Sequence, residues 1–547
     1  MKAVRNILGA LAALALSGCG QATTEPGCNK DSDCASGSSC VLRACVPRVM
    51  GPTQEWNLEL APRSESALAA TESPSVPFGT APITLKVEKK AKIDGQVDGL
   101  GMTEANAATG STMRALLSIP STIGRGERQF ESEATRPPND QGPLRFTFFV
   151  PESAIGGSAK ITLFPASPLD QVLPVWSLPV PTLGTTLLIA VPKSNETSVL
   201  EGVLQDELEQ PPSIPYVARA LLGDRLVSNV YKTDAQGRFK LKIPNNPSNG
   251  IDLNQVIVEL APADPMAVEP RLRAGVTAAK LNLGVLRLPP RPKAQVLDVP
   301  VSALGKTTKI PGVTIRFTAP LDGAFGGNAT VAREFQTDRE GVAHVTLLPG
   351  PAGQTLDYAV TVLPPPNSEF AARCFQGYSV ASVPAGQARV GASIELGTKL
   401  EVTGKVTGAD GVAQPGVILT AIRQSVTTAQ DCSVEVLATP ATVTTGLDGT
   451  YRLLLDPGRY RIEYEPPMGS AVAFSADDDV LVDKNLQRTV KLPGGALATG
   501  LVLAPSGEGV SSCEVRAFDR PAEGKSPELR ARTRTGADGR FSIVLPR

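Results

Sequence analysis

A strand pattern that returns about every hundred residues constrains this chain more than any other feature. Trp56-Asn57-Leu58-Glu59-Leu60-Ala61-Pro62 alternates apolar and polar residues and stops at proline. The pattern recurs as Ala159-x-Ile161-x-Leu163-x-Pro165 and Val256-x-Val258-x-Leu260-x-Pro262. Two further copies are Tyr358-x-Val360-x-Val362-x-Pro364 and Tyr460-x-Ile462-x-Tyr464-x-Pro466. The prolines lie 103, 97, 102 and 102 residues apart. Strict alternation puts one set of side chains on a core face and the other in water. Proline removes a ladder donor, so each strand ends there or lies at an edge.

Two more landmarks keep the same period. An apolar-x-Gly-x-apolar strand appears as Ile93-x-Gly95-x-Val97, Leu200-x-Gly202-x-Leu204, Val402-x-Gly404-x-Val406 and Ala498-x-Gly500-x-Val502. In the third copy, Leu297-x-Val299-x-Val301, the glycine is lost. A Thr-x-x-x-Gly turn leading into another alternating strand follows at Thr233, Thr337, Thr445 and Thr535, with a looser version at Asn139 to Gly142. Asp and Gly there supply the side-chain acceptor and the positive-φ residue of a tight turn. Glycine inside a strand marks a bulge or a close backbone approach. Gly 51 and Pro 48 in 547 residues favour many turns over long helices. With only 4% aromatic residues, the cores must be built from Val, Leu, Ile and Ala.

In their order these landmarks resemble the carboxypeptidase regulatory-like domain, and the resemblance implies a transthyretin-like seven-stranded β-sandwich. The fourth copy matches that pattern best, through Gly404 to Val406, Pro415 to Val417, Thr445 to Tyr451 and Gly458 to Pro466. The expected fold is all-β, a tandem array of about five small antiparallel β-sandwiches behind a signal peptide and a Cys-rich stub. Cutting before each Gly-x-Val leaves an orphan half at each end. Cutting before each Trp56-type strand gives five whole units at 52–151, 158–244, 254–349, 356–455 and 459–547. That second frame is adopted here. Five units of roughly 35 Å laid end to end would form a rod on the order of 150 Å.

The N-terminus reads as a targeting segment. Lys2 and Arg5 precede a short apolar run, Ile7 to Leu16, and then Leu16-Ser17-Gly18-Cys19. The run is too short for a permanent membrane span. "LSGC" resembles the bacterial lipobox, which implies a signal peptide over 1–18, lipidation (palmitate) of Cys19, and a tether with a Cys-rich module over 19–51. Gly20 in place of the aspartate that retains lipoproteins at the inner membrane leans towards the cell outer membrane. Export sets an oxidising compartment. Cys28, Cys34, Cys40 and Cys45 sit in a polar stretch too small to bury a core, so two intrachain disulfides in one of three pairings are expected. A four-cysteine zinc site is the alternative, but its first two spacings lack the short knuckle. The stretch resembles short cysteine modules near the start of some exported bacterial proteins. Asn29, Asp31 and Asp33 imitate a calcium loop, yet Cys34 stands where its glycine belongs, so an EF-hand is rejected. Cys374, Cys432 and Cys513 are odd in number, which predicts at least one buried free thiol.

Chemistry-bearing constellations are sparse. The single histidine, His344, falls in an alternating strand and is read as a residue on a sandwich face, not as a metal ligand or triad member. Gly305-Lys306-Thr307 and Gly524-Lys525-Ser526 resemble the end of a P-loop, but Pro300 and Asp519 occupy the position of its first glycine. Neither is a nucleotide site. Asp477-Asp478-Asp479 is read as a solvated loop, with calcium as the alternative. Trp56 is assigned to the core, and Trp176 is the candidate exposed aromatic for a glycan platform. A net charge of -1 argues against nucleic acid as a partner. No cofactor is expected. The sequence therefore points to a lipid-anchored, non-enzymatic spacer or adhesive rod of the cell envelope, with an envelope protein or glycan as possible partner. The runner-up is a glycan- or peptide-binding accessory subunit of an envelope enzyme or transporter.

Overall fold

A computed structural model describes residues 34, 38–41, 44–47, 54–79, 81–99, 111–138, 142–245, 249–264, 267, 269–278, 280–289, 293–321, 329–350, 354–366, 368–381, 389–425, 440–467, 470–520 and 525–546. The chain is all-β, with only single-turn 3-10 helices among the described residues. Each sandwich is organised around its Gly-x-Val strand. An antiparallel neighbour lies on one side of that strand and a parallel one on the other. In sandwich I (90–191), Lys90–Asp98 lies between Leu144–Pro151 and Thr186–Ala190. In sandwich II (197–288), Thr197–Gln205 lies between Arg238–Pro244 and Asn282–Arg287. In sandwich III (295–396), Gln295–Ala303 lies between Val342–Leu347 and the short strands Arg389–Val390 and Ile394–Leu396. In sandwich IV (400–492), Leu400–Thr407 lies between Thr450–Leu455 and the short strands Leu486–Gln487 and Val490–Lys491. Sandwiches II and III share one sheet, joined where Arg271–Gly275 pairs with Ala329–Gln336.

The fifth sandwich is closed by the two ends of the chain. Gly495–Leu503 pairs antiparallel with Arg540–Pro546 and parallel with Ile83–Lys86. On the other face, Glu514–Phe518 lies between Leu529–Arg534 and Gln54–Ala61, which in turn pairs with Thr71–Phe78. Trp56, Leu58, Leu60, Phe78 and Val87 from the N-terminal side pack with Val502, Val515, Ala517, Phe541 and Ile543 from the C-terminal side in one buried cluster. The strand pairing therefore draws boundaries other than 52–151, 158–244, 254–349, 356–455 and 459–547. The cut falls before each Gly-x-Val strand, and the two orphan halves are one sandwich. The extended rod is corrected with it. Sandwich I follows the closing sandwich directly at Lys90 and sandwich IV precedes it at Leu492, so the path of five units returns to its start.

Cross-strand pairs explain the landmarks. Gly95, Gly202, Gly404 and Gly500 are the register partners of Phe146, Phe239, Tyr451 and Phe541. A Cβ at Gly202 would stand 2.7 Å from the Phe239 ring, and one at Gly500 2.5 Å from Phe541. The overlaps are tighter at Gly95, with Phe146, and at Gly404, with the Arg488 carbonyl. The three phenylalanine rings lie across the missing side chain, and at Gly404 the Tyr451 hydroxyl and the Arg488 carbonyl do so. In sandwich III the partner of Val299 is Ala343, both fully buried, so neither the glycine nor the ring is present there.

The recurring threonines are buried latches. Thr445 Oγ1 accepts from Val417 N at 2.9 Å and donates to Gln414 O at 2.7 Å. Thr337 and Thr535 hold Val313 and Cys513 in the same way. Gly449 in the adjoining turn takes φ 77, and a Cβ there would meet Val406 O at 2.6 Å. A bulge also repeats on the strand beside the Trp56-type strand, where Ser75, Gly377 and Asp479 take positive φ at the register shifts.

The glycine–ring pairing predicts compensation in sandwich III. Ala343→Phe alone should overpack the site and destabilise by about 1–3 kcal/mol. Adding Val299→Gly should recover most of that loss, read as a coupling energy in urea unfolding followed from sandwich III amides. Strict additivity of the two substitutions would contradict the pairing.

Candidate functional site

The outward face of the closing sandwich carries the densest set of ionisable groups that joins several units. Alternation puts Trp56, Leu58 and Leu60 inwards and leaves Glu55, Asn57 and Glu59 on the outer face of the same strand. Glu59 is the register partner of Arg516, and Arg516 is that of Arg532. A relay of ion pairs starts in sandwich IV. Glu465 Oε2 accepts from Arg532 at 2.7 Å, and Arg532 lies 3.9 Å from Glu514. Glu514 Oε1 accepts from Arg516 Nε at 2.9 Å, and Arg516 lies 3.5 Å from Glu59. Glu59 Oε2 then accepts from Arg125 of sandwich I at 2.7 Å, and the Arg125 guanidinium stacks 4.4 Å from the Phe518 ring. A parallel branch joins Arg461 of sandwich IV to Glu528 at 3.0 Å.

Three members of the relay feel their neighbours' charges: Glu514, Arg516 and Arg461. The hydrogen bond from Arg516 holds the Glu514 carboxyl below its ordinary value against the effect of burial, with Arg532 and Arg534 adding to it. Burial works against the Arg461 guanidinium, but Glu463, Glu528 and Asp478 outweigh it and hold its pKa up. Half-exposed pairs of this kind contribute about 0–1 kcal/mol each. Burial of a side chain such as Leu58 contributes about 1.5–3 kcal/mol. The relay therefore fixes register and partner, while the apolar cluster supplies the stability.

Beside the relay, a shallow groove, open to solvent, lies between Pro466, Pro467 and Phe474 of sandwich IV and Leu529, Ala531 and Ile543 of the closing sandwich. The sandwich I–II junction is also built. The backbone carbonyls of Asp170 and Gln171 accept from Val230 N at 2.7 Å and Asn229 Nδ2 at 2.9 Å, and Ser177 N donates to Asn249 Oδ1 at 2.7 Å.

The structure corrects two sequence-predicted sites. Trp176 is buried, 2% exposed, and packs in the core of sandwich I, so it offers no aromatic platform. Its strand pairs with Ala159–Pro165, which turns the indole inwards. Asp477, Asp478 and Asp479 lie in the strand Ser475–Val482, not in a loop. Alternation and the bulge send them to separate cations: Asp477 to Arg488, Asp478 to Arg461 and Asp479 to Arg459. That arrangement consumes the charge a calcium ion would need. Among the described residues no cluster of three or more His, Cys, Asp or Glu could hold a metal.

The remaining residues fall as follows. Trp56 is a core residue, as expected. Cys19, Cys28, Cys432, Asn29, Asp31, Asp33 and Gly524 lie outside the described residues. Cys34 and Cys374 are each disulfide-bonded. Cys40 and Cys45 are register partners in a hairpin of Ser38–Val41 with Ala44–Pro47. Cys513 is a buried free thiol, pushed up to about 12 by burial and then by Glu514. Gly305 and Lys306 form the turn after Gln295–Ala303, with Gly305 at φ 67.

Sequence reasoning missed the relay and a related triad in sandwich II. There Glu259, fully buried, accepts from Arg273 Nη2 at 2.9 Å and from Arg219 Nη2 at 2.5 Å, both from register-partner positions. The signal was present. Glu-Leu-Ala-Pro occurs at both Glu59 and Glu259.

No family model and no curated protein matches the chain. Among solved structures, a streptococcal ancillary pilin is 15% identical over 54% of this chain and 99% of its own, with a TM-score of 0.23. The Bacillus anthracis TIE protein is 13% identical over 74% of both chains, TM-score 0.18. The pilus adhesin SpaC of Lactobacillus rhamnosus GG is 9% identical over 81% of this chain and 57% of its own, TM-score 0.19. Superpositions with scores this low carry nothing about how the units are arranged or what they bind.

His344 sits on an exposed strand position, its Nδ1 2.7 Å from Asp298 and its Nε2 3.4 Å from Asp338. The hydrogen bond and charge of Asp298, followed by Asp338, raise its pKa above 6.5. The pairing therefore contributes fully below pH 6.5 and is lost as pH rises through the raised value. As the only histidine, it gives a single imidazole NMR titration. The midpoint should lie above 6.5 and fall in Asp298→Asn. A wild-type midpoint at or below the ordinary value would contradict the pairing.

Proposed function

We propose that this chain is a non-catalytic structural or adhesive protein of the bacterial cell envelope, tethered by lipid at Cys19 and carrying a closed scaffold of five sandwiches. The observation that carries this reading is the closing sandwich. Strands from 54–86 and 495–546 are spent on one core and one ion relay that reaches into sandwiches I and IV. Such closure yields a rigid platform with short links, suited to presenting surfaces at a fixed distance from a membrane. The recurring residues support it, since glycine, ring, threonine and turn aspartate each have a backbone or packing role. We further infer that the units are of the carboxypeptidase regulatory-like kind and that Cys28, Cys34, Cys40 and Cys45 form two disulfides ordering the tether. Binding of a glycan or peptide as an accessory subunit is the second reading, favoured by the groove between sandwich IV and the closing sandwich.

Lipidation is tested by Cys19→Ser, which should release the protein from membranes or leave an uncleaved precursor, because stable anchoring takes more than one acyl chain. A variant that is processed and fractionates like wild type would refute the anchor. Peptide mapping of the released protein without reduction reads the disulfides, and four free thiols would refute them.

The same soluble protein tests the scaffold. With every unit linked to two neighbours, small-angle scattering should give a maximum dimension of roughly two to three unit lengths, about 70–100 Å. A maximum on the order of 150 Å, the end-to-end value, would show that the ends are apart in solution.

A further inference from the structure

Among the described residues, the closing sandwich is the one place where strands far apart at the two sides of the sequence pair with each other. Residues 54–88 bring three strands to it, and residues 495–546 bring four. Without the N-terminal segment, the C-terminal half would leave Gly495–Leu503 and Glu514–Phe518 each with an open edge. Val502, Val515, Ala517 and Ile543 would lose their cover. We propose that segment 54–88 is exchangeable between copies, so that the segment of one chain completes the 495–546 half of a second chain and the protein assembles with itself head to tail.

Three observations carry this. The receiving half is selective for this segment. Leu58 sits opposite Ala517, Gly500 opposite Ile83, and the Glu59–Arg516 pair fixes the register between them. A strand shifted by one residue would turn Trp56, Leu58 and Leu60 to solvent.

The covalent connections also permit exchange. The segment runs directly into sandwich I at Lys90, and the receiving half runs directly from sandwich IV. No peptide bond crosses between the two halves, so exchange remakes the same contacts in trans and needs only a change of angle at a link elsewhere in the ring. The contacts that bind the segment to its own sandwich I travel with it. Glu72 accepts from Thr122 N at 2.8 Å and Ser121 Oγ at 2.9 Å, and Asn57 Nδ2 donates to the Ile123 carbonyl at 3.3 Å.

The third observation is the order of the chain. The segment is made before its partner half by the length of four sandwiches, and until then its edge and apolar face have no intramolecular cover. The four sandwiches between segment and receiving half set the effective concentration of intramolecular closure, and raising the concentration of copies shifts the balance towards exchange.

Full-length chains carrying Cys19→Ser test the proposal in complementary pairs. One chain also carries Leu58→Asp, which spoils its segment and leaves its receiving half intact. The other carries Val515→Asp, which spoils the receiving half and leaves the segment intact. Each should run as a monomer lacking amide protection over 514–518. Mixed in equal amounts, they should form a complex of twice the monomer mass by light scattering, with protection over 514–518 regained only in the Leu58→Asp chain. The proposal is overturned if the mixture keeps the monomer mass and regains no protection while sandwiches I–IV retain theirs. Wild-type chains bearing two different tags give a second reading that needs no destabilised variant. After mild urea and dilution at high concentration, both tags should co-purify at twice the monomer mass. Single-tag monomers alone at every concentration would overturn exchange.

Discussion

In three of the five sandwiches a glycine on the Gly-x-Val strand lies under a phenylalanine ring from its antiparallel neighbour, and in a fourth Gly404 lies under the Arg488 carbonyl and the Tyr451 hydroxyl; the rest of the unit is arranged around that contact. The ring fills the space a Cβ would take, so the two strands approach closely and the sheet can curve over a core made mostly of aliphatic residues. Phe146, Phe239, Tyr451 and Phe541 each place an aromatic side chain at this position in a chain that has few of them. Sandwich III supports the argument from the other side. With Val299 in place of glycine, a ring at position 343 would not fit, and alanine stands there. The pair acts as a lock whose two halves change together.

Around that lock, each unit is finished by short-range polar contacts. The buried threonine hydroxyl satisfies one donor and one acceptor of the opposite turn, groups whose loss without replacement would cost about 1–3 kcal/mol each. The aspartate two or four residues before a backbone N–H closes the hairpin, as Asp234 does for Gln236 and Arg238. These contacts hold single units together. What joins units is of another kind: a shared sheet between II and III, capped carbonyls between I and II, and arginine–carboxylate pairs where the ring closes. Ion pairs at the closure contribute little energy individually, yet they make one register and one partner better than any other.

Much of this was legible in the sequence because it is local. Alternation at Tyr460 to Tyr464 gave a strand with its rings inwards, and Thr445 to Gly449 gave a turn. The sites that failed did so because side-chain direction depends on neighbours far along the chain. Trp176 lacks a landmark of its own, and only pairing with Ala159–Pro165 turns it into the core. The three aspartates look like a loop by composition, but Arg459, Arg461 and Arg488 draw them into a paired strand.

Local pattern was enough to specify an all-β chain of five similar units, the turns and strands within each, and the residues that face their cores. It was enough because a period of two and a Thr-x-x-x-Gly turn are read from a handful of neighbouring residues. The tertiary structure alone decided which strands belong to one sandwich. "WNLELAP" pairs as well, by its own pattern, with a strand that follows it as with one more than four hundred residues away. Only the exposed edge of Glu514–Phe518, the apolar face beneath it and Arg516 opposite Glu59 select the distant partner. Strand edges carry no address in their own sequence, so closure of the chain on itself became visible only when every other edge had been paired.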